Sequence, residues 1–135
     1  VGLSTEYGKY NSLKGERLAN DLLGKAQDAL KDDSDVAADL RFIHDSGFTP
    51  LCTLLGLDGF PVFEVERAHK EWNAADVVPM CANLQVIFYE AKGKDVLVKV
   101  LVNEKESRIS GLTPVQGVYY RWDDVAKKIE SKLNN

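Results

Sequence analysis

His44 and Asp45 stand side by side in "FIHDSGFTPLCTLLGL", residues 42–57, and no other pair in the chain is as well suited to proton and anion chemistry. An imidazole can donate to a phosphate oxygen, and an adjacent carboxylic acid can hand a proton to a departing alkoxide. Together they suit the leaving-group half of a phosphoryl transfer. They do not supply the attacking group. The same two residues also read as a polar strand end followed by a capping aspartate, so the elements around them matter.

Ahead of the pair, "VAADLRFIH", residues 36–44, reads as a short, mostly apolar strand of the kind buried on both faces, with Arg41 near one end or against a polar partner. Behind it, Thr49 as cap, Pro50 at the first helical position and Gly56 as left-handed stop delimit a short helix. Leu51, Leu54 and Leu55 form its buried stripe. A strand, loop and helix in this order bring the loop to the carboxyl end of a sheet, where ligands of open α/β folds bind. Unpaired N–H groups and the positive dipole end of the helix then favour an anion beside His44, Asp45 and Thr49.

Apolar residues at helical spacing predict an amphipathic helix over residues 12–31, closed by the "DDSD" turn. Residues 58–78 are irregular. "NLQVIFYEA" and "DVLVKVLVNE" read as an antiparallel hairpin turning at "KGK". Val125, Ile129 and Leu133 mark a closing helix with Asp123 as its cap. If the first hairpin strand runs antiparallel to residues 36–44, Met80 and Asn83 line the mouth of the site. Lys105 and Arg108 read as a solvated strand end. Trp72, Tyr119, Tyr120 and Trp122 read as packing or rim residues, since no basic residues interleave with them.

The totals restrict the partner. The chain has 135 residues, the length of one domain, and carries a net charge of −4. That balance argues against a nucleic-acid backbone but not against one small phosphorylated molecule. No apolar run reaches the ~20 residues of a membrane span. No cluster of Cys, His and carboxylates has metal-ligand spacing, and no cofactor motif is present. Cys52 and Cys81 are too few for a disulfide framework and leave a single bridge open. One strand and one hairpin make a thin sheet, fewer neighbours than a doubly buried strand needs.

The stretch "FIHDSGFTPLCTLLGL" resembles the second signature of the histidine acid phosphatases, in the branch that includes phytases and multiple inositol polyphosphate phosphatases. "VPMCANLQVIFYEAKGKDVLVKVLVNEKE" and "YYRWDDV" are similar to the hairpin and closing helix at the C-terminal end of its bacterial members. The resemblance implies part of a histidine-phosphatase-like (phosphoglycerate-mutase-like) α/β sandwich, with one buried strand, a C-terminal β-hairpin and flanking helices. It implies that His44 binds the transferring phosphoryl group and that Asp45 protonates the leaving oxygen. It further implies phytate-like substrates, no metal, an acidic optimum and a periplasmic or secreted location.

One departure stands out. The family's nucleophile is a histidine in an Arg-His-Gly-x-Arg segment, and this sequence has none. The second histidine, His69 in "ERAHKEW", lacks the glycine and arginine and reads as an exposed loop residue. The expectation is therefore that residues 1–135 form a single domain that is the C-terminal part of a larger phosphatase domain. Such a piece is inactive alone and is prone to self-association or to pairing with the missing N-terminal part. The alternative is a non-catalytic binding or interaction module on the same scaffold.

Overall fold

The computed structural model describes residues 2–3, 6–63, 67 and 70–134. Helix α1 spans Glu6–Ala29, α2 Asp45–Leu55, α3 Ala74–Val77 and α4 Trp122–Leu133. Strands β1 (Gly2–Leu3) and β2 (Val62–Phe63) make a short parallel pair. β3 (Leu84–Tyr89), β4 (Leu97–Val102), β5 (Lys105–Ser107) and β6 (Tyr120–Arg121) form an antiparallel sheet. It is a mixed α/β arrangement, with helices flanking one face of the sheet.

The hairpin is as expected. β3 pairs antiparallel with β4 from Leu84↔Val102 to Tyr89↔Leu97. Alternation then turns Leu84, Val86 and Phe88 of β3, with Val98, Val100 and Val102 of β4, toward the helices. Two further short strands share the other edge of β4. Asn103 and Glu104 both hold positive φ, the tight-turn geometry that folds β5 back on β4. At the opposite end, Tyr120 pairs with Val98. Its hydroxyl accepts the Ile109 N–H at 3.1 Å, so a phenol and a backbone amide satisfy each other inside the core.

α1 presents Ala19, Leu23 and Ala26, and α4 presents Val125 and Ile129, to one shared core. That core also holds Phe48, Leu51, Cys52 and Leu55 of α2. The long helix starts earlier than residue 12; Ala19, Leu23 and Ala26 are its buried stripe, with Leu18 and Leu22 half-buried beside it. α4 begins at Trp122 with Arg121 as its N-cap residue, so Asp123 is not the cap. Asp123 and Asp124 instead sit in the first turn, facing the positive helix end. The four aromatics do pack. Tyr120 and Trp122 are buried, Trp122 meets Phe88 edge-on at 4.9 Å, and Trp72 Nε1 donates to the Gly59 carbonyl at 2.8 Å. His69 lies outside the described residues.

α2 begins at Asp45, not at Thr49 or Pro50, so Pro50 lies inside the helix. An interior proline costs about 3 kcal/mol, chiefly through a lost hydrogen bond and a clash with the carbonyl four residues back. That carbonyl belongs to Ser46, an exposed residue open to water. Burying Phe48 against Phe60, at 5.9 Å between ring centroids, returns about 1.5–3 kcal/mol. Tertiary burial thus carries the helix back across the proline. Gly56 ends it as anticipated, at φ 71° with its N–H on the Thr53 carbonyl.

Residues 36–44 are not a buried strand. They have no regular secondary structure, and each is exposed. Leu40 is 81% and Phe42 95% exposed. A strand exists by its ladder partners, and among the described residues none pairs with this segment. Two side-chain contacts hold it. Arg41 Nε donates to Asp39 at 2.7 Å, and its other guanidinium arm reaches Asp21 on α1. The polar partner expected for Arg41 is therefore Asp21, with Asp39 beside it.

Neither cysteine is in a disulfide: Cys52 is buried and Cys81 exposed. Burial pushes the Cys52 thiol up to about 12. At pH 8 Cys52 stays protonated and covered, so a chromogenic disulfide reagent is expected to titrate one thiol in the native chain and two after denaturation. The α1–α2 contact gives a second test. A Cβ on Gly15 would lie 2.7 Å from the Pro50 carbonyl oxygen, whereas one on Gly24 would meet nothing within 4 Å. Gly15→Ala is expected to destabilise by about 1–3 kcal/mol through overpacking. Gly24→Ala is expected to stabilise by about 0.5–1 kcal/mol through helix propensity. Urea unfolding midpoints that moved the same way would contradict the close approach.

Candidate functional site

His44 is the N-cap residue of α2, extended at φ −74° and ψ 160°, and its side chain makes no capping bond. Its carbonyl accepts the N–H groups of Gly47 and Phe48 at 2.9 and 3.0 Å, which anchors the first turn. The imidazole is thus left free at the helix mouth and exposed to solvent. Asp45, the first helical residue, curls back so that its Oδ1 accepts the Ser46 N–H at 2.7 Å. A carboxylate there is favoured by the positive end of the helix. Neither side chain belongs to an ion pair among the described residues. Histidine and aspartate are therefore both exposed at one helix terminus.

The rigidity behind this terminus comes from packing. Leu18 of α1 lies 3.3 Å from where a Gly47 side chain would start, and Phe48, Pro50, Leu51, Cys52 and Leu55 are buried beneath. Arg41 is the nearest arginine in sequence, but Asp39 and Asp21 already occupy it. Its pKa is raised first by the Asp39 hydrogen bond and then by the Asp21 charge.

Thr49 lies one turn beyond Asp45 within α2, half-buried and not at its start, because the helix begins five residues earlier than the expected Thr49 cap and Pro50 start implied. Met80 is 93% exposed in the turn before β3. Asn83 is engaged locally: its N–H donates to Asn103 Oδ1 at 3.2 Å, and its own Oδ1 accepts from Gln85 at 3.1 Å. The route by which Met80 and Asn83 would share a site with His44 ran through a strand at 36–44, which does not form here. Lys105 and Arg108 are exposed, as a solvated strand end requires.

Sequence reasoning missed a second feature at the opposite end of α2. There, an open-sided cavity of about 1060 Å³ lies between Thr53, Gly56, the loop 110–112 and the face of α4 that carries Lys127, Lys128 and Lys132. The lysine-rich "AKKIESK" run was visible. Its meeting with Thr53 and Ser110 was not, since that depends on how α4 crosses α2.

Among the described residues, no helix is long and apolar enough to cross a membrane. No curated protein matches the chain at a significant level. Two solved structures of the Bifidobacterium longum multiple inositol polyphosphate phosphatase, one in complex with inositol hexasulfate and one with phosphate, are similar to it. Each superposes with a TM-score of 0.75 at 26% identity over 87% of this chain. The chain spans 26% of that protein's length. The model of the histidine phosphatase superfamily (branch 2) matches residues 6–103, a stretch that contains His44, Asp45 and the β3–β4 hairpin. This chain belongs to the histidine phosphatase superfamily, branch 2.

Proposed function

We propose that this chain supplies the phosphate-binding and proton-donating half of a phosphomonoesterase active site, acting on inositol polyphosphates or similar esters. The observation that carries the reading is the free, outward-facing His44–Asp45 pair at the packed N-terminus of α2. Family membership supports it, and so does the bound phosphate named for the Bifidobacterium neighbour.

The chemistry divides between two places. A histidine outside this chain attacks phosphorus, and the bond to the leaving oxygen breaks. His44 donates to a non-bridging phosphate oxygen as charge builds there. Asp45 delivers its proton to the departing alkoxide. Water then attacks the phosphohistidine, gives its proton to the Asp45 carboxylate, and phosphate leaves. Splitting the displacement into two steps lets one carboxyl group serve both.

The nucleophile comes from elsewhere because this sequence contains no Arg-His-Gly-x-Arg segment. The extended segment 36–44, with no strand partner among the described residues and with exposed Leu40 and Phe42, is where the remainder of a larger phosphatase domain adds strands. In this reading residues 1–135 are the C-terminal part of that domain.

Two outcomes are expected. The 135-residue chain alone hydrolyses no p-nitrophenyl phosphate above the buffer rate, and measurable turnover would overturn the divided site. In a longer protein that carries the nucleophilic histidine, Asp45→Asn slows alkyl phosphate hydrolysis by about 10²–10⁴-fold. It slows p-nitrophenyl phosphate, whose leaving group needs no proton, far less. Equal losses on both esters, or no loss on either, would remove Asp45 as the acid.

A further inference from the structure

At the C-terminal end of α2, about 15 Å from His44 at the ordinary helical rise, lies the cavity of about 1060 Å³ described above. We infer that it is a second oxyanion site, which takes phosphate or a small polyphosphorylated molecule through Lys127, Lys128 and Lys132.

Two observations converge on it. First, three ammonium groups from one face of α4 line the cavity, and among the described residues none is ion-paired. Second, Lys128 is half-buried, with its Nζ donating to the Ser110 carbonyl. Burial, and then the neighbouring Lys132, hold its pKa below the usual lysine value, so the cluster repels itself as it stands. An anion between the ammonium groups relieves that repulsion.

Two carboxylates also line the wall and offset part of the lysine charge. Asp58 Oδ2 accepts the Arg108 N–H at 2.9 Å, and Asp124 sits in the first turn of α4 at its positive end. The remaining balance is positive. The cavity is far larger than one phosphate, so a ring with several charged groups fits as well as a single ion. This site shares no lining residue with the His44–Asp45 pair and does not depend on that pair's role.

Amide correlation spectra, recorded while the protein is titrated with inorganic phosphate and separately with inositol hexasulfate at constant ionic strength, test the proposal. Saturating shifts are expected at residues 53–59, 110–112 and 124–132, and they are expected to persist in His44→Ala. Lys127→Gln/Lys132→Gln changes only exposed side chains, and should weaken binding at least about fivefold, the scale of losing unit-charge contacts near the surface. Shifts confined to residues 44–49, shifts lost in His44→Ala, or wild-type affinity in the double variant would each overturn it. A loss of shifts at 44–49 alone would count against the phosphatase reading and leave this site standing.

Discussion

Burial of one face of α2 is the constraint from which the rest follows. Phe48, Leu51, Cys52 and Leu55 insert between α1, α4 and the sheet, and Gly15 lets α1 approach the Pro50 carbonyl closely. Each large apolar side chain removed from water contributes about 1.5–3 kcal/mol, enough to outweigh a proline in the middle of the helix. The result is a short rod with both ends fixed. His44 and Asp45 open from one end, and the lysine-lined cavity lies at the other.

The site's exposure is as informative as its position. Catalytic phosphoryl transfer relies on arginine or lysine clamps and on exclusion of water, and the first α2 turn has neither within its own packing. Arg41 is committed to Asp39 and Asp21. What α2 offers is a fixed backbone: an imidazole and a carboxyl group carried at a helix terminus that buried residues hold in place. The segment 36–44 leads directly into His44, is tied to α1 by Arg41, and leaves Leu40 and Phe42 exposed.

Across the sheet, satisfaction is nearly complete by contrast. Tyr120 takes the Ile109 amide, and Ser107 takes the Asp58 amide while donating to the Arg108 carbonyl. Asn103, in a left-handed turn, donates to the Val77 carbonyl and accepts the Asn83 N–H. These bonds tie the hairpin to the connecting loops and leave the described core with one unmet buried side-chain atom, the Thr53 hydroxyl.

Local signals were sufficient wherever a residue acts on its own backbone or repeats at a fixed period. Gly56 as a left-handed stop, the alternation of Val98 and Val100, and the spacing of Val125 and Ile129 could all be read from the chain, because φ preference and periodicity are properties of neighbouring residues. So could the His44–Asp45 pair. The start of α2, the state of residues 36–44 and the gathering of Lys127, Lys128 and Lys132 around Thr53 could not. A helix crosses Pro50 only because Phe48 finds Phe60, and an apolar run becomes a strand only if another strand lies beside it. Both are energies of contact between distant parts of the chain, and only the tertiary structure decides them.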